Sequence, residues 1–281
     1  MHIPDGFLST PVWVTLDVVS AGAVGWIAQR AQRETQDRKI PMLGVMGAFV
    51  FAAQMVNFPV GLGTSGHLVG GALLAIVLGP AAATVVMTAI LALQALIFQD
   101  GGVLALGANV FNMALAGVAA GHLACRLWGR GTAAIFAGGV LSVLVSACLA
   151  LGQLLISGVQ MPRGAMWISL GLFLVSAVME GAITVAAVRG IERLNTGWVR
   201  GPEPVSPRPM AAIGLVALVL VVAGTLIASA APDGIQKLTA FGLDAADAAW
   251  SRKALGGIAG LLLIFAVCVV GGKLIFRRRS A

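Results

Sequence analysis

Charged residues are scarce in this chain of 281 amino acids, at 10% of the total, whereas a soluble domain carries roughly 25%. Hydrophobic residues make up 59% of the sequence, and the mean hydropathy is +0.97. A water-soluble fold of this length could not cover so much apolar surface, so a soluble enzyme is excluded. The composition instead predicts an integral membrane protein with several spans of about 20 apolar residues each.

Cysteine is rare too, with only Cys125, Cys148 and Cys268 and no CxxC pair. Their positions in apolar segments are typical of inert buried thiols. The sequence also lacks a GxxxxGK[ST] phosphate loop, a HExxH motif and a GxSxG motif. The chain is therefore predicted not to be an enzyme and not to hydrolyse ATP by such a loop. Uphill transport would draw its energy from a partner or an ion gradient.

Apolar segments divide the chain into seven spans, a linker and two further spans. Approximate limits are 11–28, 41–60, 68–78, 81–98, 104–125, 132–156 and 165–188 for the first seven, and 210–230 and 255–276 for the last two. The residues between these groups are charged and then proline-rich, which is typical of a solvated linker. The predicted fold is all-α and membrane-integral: a seven-helix bundle followed by two further transmembrane helices.

Basic residues predict the orientation of these spans. With the N-terminus outside, fourteen of the 18 Lys and Arg residues fall on the cytoplasmic side, which is the positive-inside pattern. No basic residue precedes Arg30, so the start of the chain does not resemble a cleavable signal peptide. We therefore expect Met1 to remain in the mature protein, at the outer face of the membrane.

Only three histidines occur, and two of them are predicted at that outer face. The α-amine of Met1, the amide nitrogen of His2 and its Nδ1 can close two chelate rings, which places three nitrogens in one plane. A planar nitrogen set favours Ni(II) or Cu(II), with an affinity that rises with pH. His67, after the glycine-rich stretch 61–66, is the natural fourth ligand. The alternatives are a frayed terminus at His2 and an ordinary polar loop residue at His67.

Several polar residues are candidates to support such a site. Asp5, in a turn after Pro4, would fold the N-terminus inward and could hydrogen-bond a ligand nitrogen. Asn109 and Asn112 are three residues apart and would share a helix face, which looks into the site or bonds to another helix.

Ionisable residues inside spans are costly and call for a role. Asp17 lies in the first span and Glu180 in the seventh. For Glu180, a structural bond to a hydroxyl or amide and the gating of a pathway are both open. His122, near the inner end of the fifth span, is interpreted as a helix-end residue.

Three stretches resemble motifs of the CbiM/NikM family, the substrate-binding components of energy-coupling factor transporters for nickel and cobalt. They are MHIPDG at 1–6, GTSGHL at 63–68 and GANVFNM at 107–113. The resemblance covers about residues 1–200 and implies a seven-helix bundle with the N-terminus tucked into it. It also implies metal ligation by the Met1 amine, the His2 amide and imidazole, and the His67 imidazole. The residues expected to support these ligands are Asp5, Ser65, Asn109 and Asn112.

The end of the chain resembles a second subunit. Residues 231–235, APDGI, are similar to the PDGLE-type signature of NikN, although Ile235 and Gln236 stand where that signature has Leu and Glu. The whole chain thus resembles a fused NikMN protein, with a metal-binding domain at 1–190, a cytoplasmic linker at 191–209 and a NikN-like domain at 210–281. The NikN-like domain would hold two helices around an outer loop.

The resemblance also implies a substrate, partners and a location. Ni(II) is the expected transported substrate, with Co(II) possible. The expected partners are a NikQ/CbiQ-like membrane coupling component and NikO/CbiO-like cytoplasmic ATPase subunits. The expected location is the cell (inner) membrane, with the C-terminus in the cytoplasm.

Four other functions remain open. The chain could be a cobalt-specific component of the same type of importer, or a stand-alone secondary metal carrier, although such carriers usually show an internal repeat. A membrane-embedded enzyme using Glu180, His122 or Asp100 would need an acid and a base within hydrogen-bond reach. The predicted topology sets His122 and Asp100 at opposite ends of the bundle. A structural scaffold is the last alternative.

Overall fold

Helices account for most of the computed structural model, which describes residues 2–35, 39–61, 64–194 and 207–222, together with Ile235. The helices are α1 (Thr10–Glu34), α2 (Ile40–Gln54), α3 (Gly71–Leu78), α4 (Pro80–Leu93), α5 (Leu106–Asn109), α6 (Val118–Trp128), α7 (Thr132–Ile156), α8 (Arg163–Leu194) and α9 (Pro207–Val222). Two π-helical segments extend them. Gln94–Phe98 continues α4, and Val110–Gly117 joins α5 to α6.

The described part of the chain contains five helices that are long and apolar enough to cross a membrane. They are Thr10–Glu34, Pro80–Phe98, Leu106–Trp128, Thr132–Ile156 and Arg163–Arg193. Large apolar side chains remain exposed on them, for example Val18 at 69% and Trp167 at 68%. Such exposure is stable where lipid, not water, surrounds the helix. The protein is therefore an integral membrane protein, as its composition predicts.

Each apolar segment predicted up to residue 188 overlaps a helix, but some limits differ. Helix α2 ends at Gln54, before the predicted limit of 60, and α8 continues to Leu194. Helix α9 covers the first part of the eighth predicted span. The ninth span, at 255–276, lies outside the described residues. The number of seven helices plus two, and the domain limits, therefore stay predictions.

A short β-hairpin follows α2, which the all-α prediction did not include. Strand β1 (Phe58–Gly61) pairs antiparallel with β2 (Thr64–Gly66), and the register shifts between Pro59 and Gly61. Glycine is depleted in strands, so its abundance in this stretch pointed to a turn instead. The hairpin places His67 immediately after the end of β2.

The short helix α3 lies at the centre of the bundle. Its residues from Gly71 to Val77 are all buried, and it packs against α4, α6 and α7. Gly79, with φ at 85°, separates α3 from α4, which starts at Pro80. A side chain would be strained at that φ, and proline is well suited to the first turn of a helix. The break between the third and fourth predicted spans, 68–78 and 81–98, therefore falls at these two residues.

Helix α1 is fixed to the start of α5 by two hydrogen bonds. The backbone N–H of Gly107 donates to Oδ1 of Asp17 at 2.7 Å, and the hydroxyl of Ser20 donates to the carbonyl of Gly107 at 2.7 Å. A Cβ at position 107 would collide with Asp17, so only glycine permits this approach. Asp17, which lies inside the first span, thus has a structural partner on another helix.

Candidate metal centre

The N-terminal segment is drawn onto the bundle by the carboxylate of Asp5. Oδ1 of Asp5 accepts hydrogen bonds from the backbone N–H groups of Leu104 at 2.8 Å and Ala105 at 3.2 Å. Oδ2 accepts one from Val103 at 2.9 Å. These N–H groups precede α5 and have no partners within that helix, so an acidic side chain is favourable there. The structure thus shows Asp5 anchoring the segment through backbone contacts. Its predicted bond to a ligand nitrogen stays a prediction.

Asn109 holds the main chain next to His2. Its Oδ1 accepts a hydrogen bond from the N–H of Ile3 at 2.8 Å, and its Nδ2 donates to the carbonyl of Ile3 at 3.1 Å. The N–H of Gly102 donates to the same carbonyl at 2.9 Å. Ile3 is fully buried and Asn109 is 2% exposed. The backbone beside His2 is therefore fixed inside the protein.

The imidazole ring of His2, in this segment, lies next to the ring of His67. The ring centroids of His2 and His67 are 5.4 Å apart, and their planes differ by 9°. Both residues are buried, at 3% and 8% exposure. Among the described residues, Nε2 of His2 has no polar partner, and Nδ1 makes no hydrogen bond but has an ion-pair contact with Asp100. Because buried polar atoms are normally satisfied, this ring is suited to a ligand.

The ring of His67 is oriented by its own main chain. Its Nδ1 lies 2.9 Å from the carbonyl oxygen of Leu68. A carbonyl oxygen can only accept, so Nδ1 carries the proton and the lone pair of the neutral ring is on Nε2. A histidine that donates one ring nitrogen in this way is prepared to coordinate a metal through the other.

Asp100 is a third polar group at this site, and its presence there was not predicted from the sequence. Its Oδ1 lies 3.3 Å from Nδ1 of His2, and its side chain is 42% exposed. Desolvation raises the pKa of this carboxyl, but the interaction with the His2 ring lowers it by more, so that the pKa lies below its usual range. Asp100 is therefore ionised at neutral pH. The only signal in the sequence was its place in a turn on the predicted outer face.

Asn112 bonds to another helix, away from the N-terminal segment. Its Nδ2 donates to Oε1 of Gln153 at 2.8 Å, and Nε2 of Gln153 donates back to Oδ1 of Asn112 at 2.7 Å. The reason that Asn109 and Asn112 diverge is the π-helical segment that begins at Val110, because the wider π-turn changes which residues share a face. Asn109 thus bonds the N-terminal segment and Asn112 bonds another helix, whereas support of a metal ligand by either asparagine stays a prediction.

Glu180 reaches the segment that follows His67. Its Oε2 and Oε1 accept hydrogen bonds from the backbone N–H groups of Val69 at 2.7 Å and Gly70 at 2.8 Å. The partners of this buried carboxylate are thus two main-chain amides, so of the predicted structural partners, a hydroxyl or an amide, it has the second.

The remaining candidates contribute less. Met1 lies outside the described residues, and so does the side chain of Ser65. His122 is on α6, half-buried. Cys125 and Cys148 are free thiols, but Cys125 is half-buried and Cys148 is exposed, so the predicted burial is wrong for Cys148. Cys268 falls outside the described part. No group of three or more His, Cys, Asp or Glu side chains that could hold a metal occurs among the residues that the structure describes.

The fold is similar to that of a solved protein titled a truncated transition metal transporter. The TM-score is 0.63 with 29% sequence identity, and the likeness covers 69% of this chain and 99% of that one. This likeness, together with the apolar helices and the two buried imidazoles, defines the class of the protein as a membrane protein of metal transport. The chain belongs to the CbiM family, since residues 2–198 match the family described as cobalt uptake substrate-specific transmembrane region.

Two relatives cover different extents of the chain. One from Archaeoglobus fulgidus, described as a fused nickel transport protein NikMN, is 34% identical over 232 residues, which is 79% of this chain and 73% of that protein. Another from Methanocorpusculum labreanum, described as a fused cobalt transport protein CbiMQ, is 31% identical over 217 residues, 69% of this chain and 35% of that protein. The family resemblance predicted from the motifs is confirmed.

Proposed function

We propose that this chain is the metal-capturing membrane component of an ATP-driven importer of the energy-coupling factor type. It takes Ni(II) from the outer face of the membrane. The observation that carries the proposal is the pair of buried, nearly parallel imidazoles of His2 and His67. The N-terminal segment that contains His2 is held against the bundle by Asp5 and Asn109. The first residues of a chain are usually poorly ordered unless specific contacts hold them, so these backbone contacts support a function for the segment.

The proposed ligands are the Met1 α-amine, the amide nitrogen and Nδ1 of His2, and Nε2 of His67. The first three close two chelate rings around one cation. The imidazole of His67 lies close enough to that of His2, at 5.4 Å between the ring centroids, to bind the same cation. Nickel(II) accepts a planar nitrogen set readily, whereas Zn(II) prefers a tetrahedron. Asp100, beside His2 and partly exposed, would attract the cation to the site.

Nickel is the proposed substrate, and cobalt is the second candidate. Similarity to the Archaeoglobus NikMN protein and the APDGI stretch support nickel and a fused arrangement, with the metal-binding domain at 1–190 and a two-helix domain at 210–281. The family description names cobalt uptake, and the Methanocorpusculum relative is described as a cobalt transport protein, which favours the second candidate.

The proposed partners are a membrane coupling component and two cytoplasmic ATPase subunits. The Methanocorpusculum relative, described as a fused CbiMQ protein, supports the first of these, since its description joins a CbiM part to a further part. The absence of a phosphate-binding loop from the sequence supports the second. The proposed location is the inner membrane, with the N-terminus outside and the C-terminus in the cytoplasm.

Metal analysis of the purified chain tests the proposal, provided that Met1 carries no tag. We expect one Ni(II) per chain, retained when Co(II) competes. His67→Ala, or one extra residue ahead of Met1, should abolish binding, whereas His122→Ala, a histidine on α6, should bind normally. Nickel bound by the extended chain with unchanged affinity would refute the ligand set. Retention of Co(II) over Ni(II) would favour the second candidate.

Uptake in cells separates the importer from a stand-alone carrier. We expect nickel accumulation to require both the ATPase subunits and this chain. Accumulation that survives deletion of the ATPase subunits would contradict the proposed type of transport.

A further inference from the structure

Two consecutive peptide groups after His67 are held on both sides by hydrogen bonds. In the Leu68–Val69 peptide, the carbonyl accepts from Nδ1 of His67 at 2.9 Å, and the N–H donates to Oε2 of Glu180 at 2.7 Å. In the Val69–Gly70 peptide, the carbonyl accepts from Nε2 of Gln54 at 2.7 Å, and the N–H donates to Oε1 of Glu180 at 2.8 Å. All four polar groups of this short stretch are therefore engaged.

The first of these peptides links Glu180 to the ring of His67. A peptide group is planar, so fixing its N–H also fixes the direction of its carbonyl. The carbonyl in turn fixes the ring through Nδ1, which leaves the lone pair on Nε2. A carboxylate that polarises the peptide also makes its oxygen a better acceptor, because hydrogen bonds in series strengthen one another.

The burial of Glu180 indicates a role beyond ordinary packing. The residue is 1% exposed in the middle of α8, yet it accepts from two backbone groups more than a hundred positions earlier in the chain. A buried carboxylate is costly unless such donors compensate it. The N–H groups of Val69 and Gly70 immediately precede α3, whose N-terminal end favours a negative charge nearby.

We propose that Glu180 is a positioning residue for metal capture, which sets the tautomer and the direction of His67 through the Leu68–Val69 peptide. Gln54 fixes the next peptide, Val69–Gly70, by donating to its carbonyl. The Oε1 of Gln54 accepts in turn from Nε2 of Gln94 at 2.7 Å. This inference rests on the proposed function, because it takes His67 as a ligand. It makes α8 the helix whose movement would disturb the metal centre.

The test compares Glu180→Gln with Thr184→Val, one helical turn further along α8. Glutamine keeps the size of the side chain but removes the charge and one of the two acceptors. Thr184 is fully buried, and its hydroxyl has no hydrogen-bond partner among the described residues, so its replacement is a matched control. Both variants are measured as the full chain in lipid nanodiscs with an untagged N-terminus.

Two readouts are expected to move together in Glu180→Gln. The Kd for Ni(II) should rise by about 10- to 100-fold, as is typical when the group that orients a ligand is removed, with one metal still bound per chain. Nitrogen chemical shifts of the His67 ring in the metal-free protein should show the loss of the single Nδ1–H tautomer. Thr184→Val should keep the wild-type Kd and tautomer.

A purely structural role for Glu180 would lower only the unfolding temperature. A Kd and a tautomer like those of the wild type in Glu180→Gln would therefore overturn the inference, and so would an equal rise of the Kd in Thr184→Val. If Glu180→Gln does not fold, Glu180→Asp carries the test, because the shorter side chain cannot reach both N–H groups. If the wild-type chain binds no Ni(II), the proposed function fails, whereas the tautomer of the metal-free ring still tests the link to Glu180.

Discussion

Asn109 and Asn112 offer a matched pair of substitutions that tests how the N-terminal segment is held. Asn109→Ala removes both side-chain hydrogen bonds to the backbone of Ile3. Asn112→Ala makes the same chemical change three residues later, but it removes the reciprocal pair with Gln153 on α7. Both asparagines are 2% exposed, so burial does not distinguish them.

The expected size of the effect follows from what remains after the change. The carbonyl of Ile3 keeps the N–H of Gly102 as a donor, but the N–H of Ile3 loses its acceptor at a residue with 0% exposure. A buried donor without a partner costs about 1–3 kcal/mol. The metal can bind only when the segment is docked, so this cost to docking appears in the apparent Kd for Ni(II). The Kd should rise by about 5- to 150-fold if the whole cost falls on docking.

Competition titration with a coloured chelator measures the Kd of both variants, and thermal unfolding measures their stability. Asn109→Ala should raise the Kd and change the unfolding temperature little, since the segment it releases lies at the end of the chain. Asn112→Ala should lower the unfolding temperature, because the amide of Gln153 loses its partner, and should keep the Kd. An unchanged Kd in Asn109→Ala, or an equal rise in both variants, would refute this account of docking.

Two further predictions concern the same region. A Cβ at Gly102 would collide with Oδ1 of Asp5, so Gly102→Ala should weaken Ni(II) binding in the same titration. Gly152→Ala is the control, because no atom lies within 4 Å of its added Cβ, and it should bind normally. Equal binding by both variants would contradict the role of Asp5. Ni(II) affinity should fall as the pH is lowered from about 8 to about 6, because the amine, amide and imidazole nitrogens of the proposed ligand set must give up protons to bind the metal. Calorimetric titration at each pH measures this, and a Kd for Ni(II) that does not change with pH would contradict ligation by these nitrogens.

Hydropathy was a good guide to the helices, because long apolar runs have few alternatives in a membrane. The glycine and proline at 79–80 marked the break between α3 and α4 for a local reason, the φ of 85° and the missing N–H. The hairpin at 58–66 was missed, since its short strands carry no alternating pattern and are rich in glycine. The π-helical segment at Val110–Gly117 left no signal in the composition.

The histidines of the site could be predicted, but most of their partners could not. His2 and His67 stood out because histidine is rare and because both were expected at one face. The contacts of Asp100 with His2, and of Glu180 with Val69 and Gly70, join positions that are far apart in the sequence. Such pairs depend on how the helices pack, and a periodic pattern along the chain does not contain that information.

The most direct measurement is an experimental structure of the chain loaded with Ni(II), with Met1 as its free first residue. The account predicts a single metal in one plane with the Met1 amine, the amide nitrogen and Nδ1 of His2, and Nε2 of His67. A metal bound elsewhere, or a first residue that lies in solvent away from His67, would contradict it.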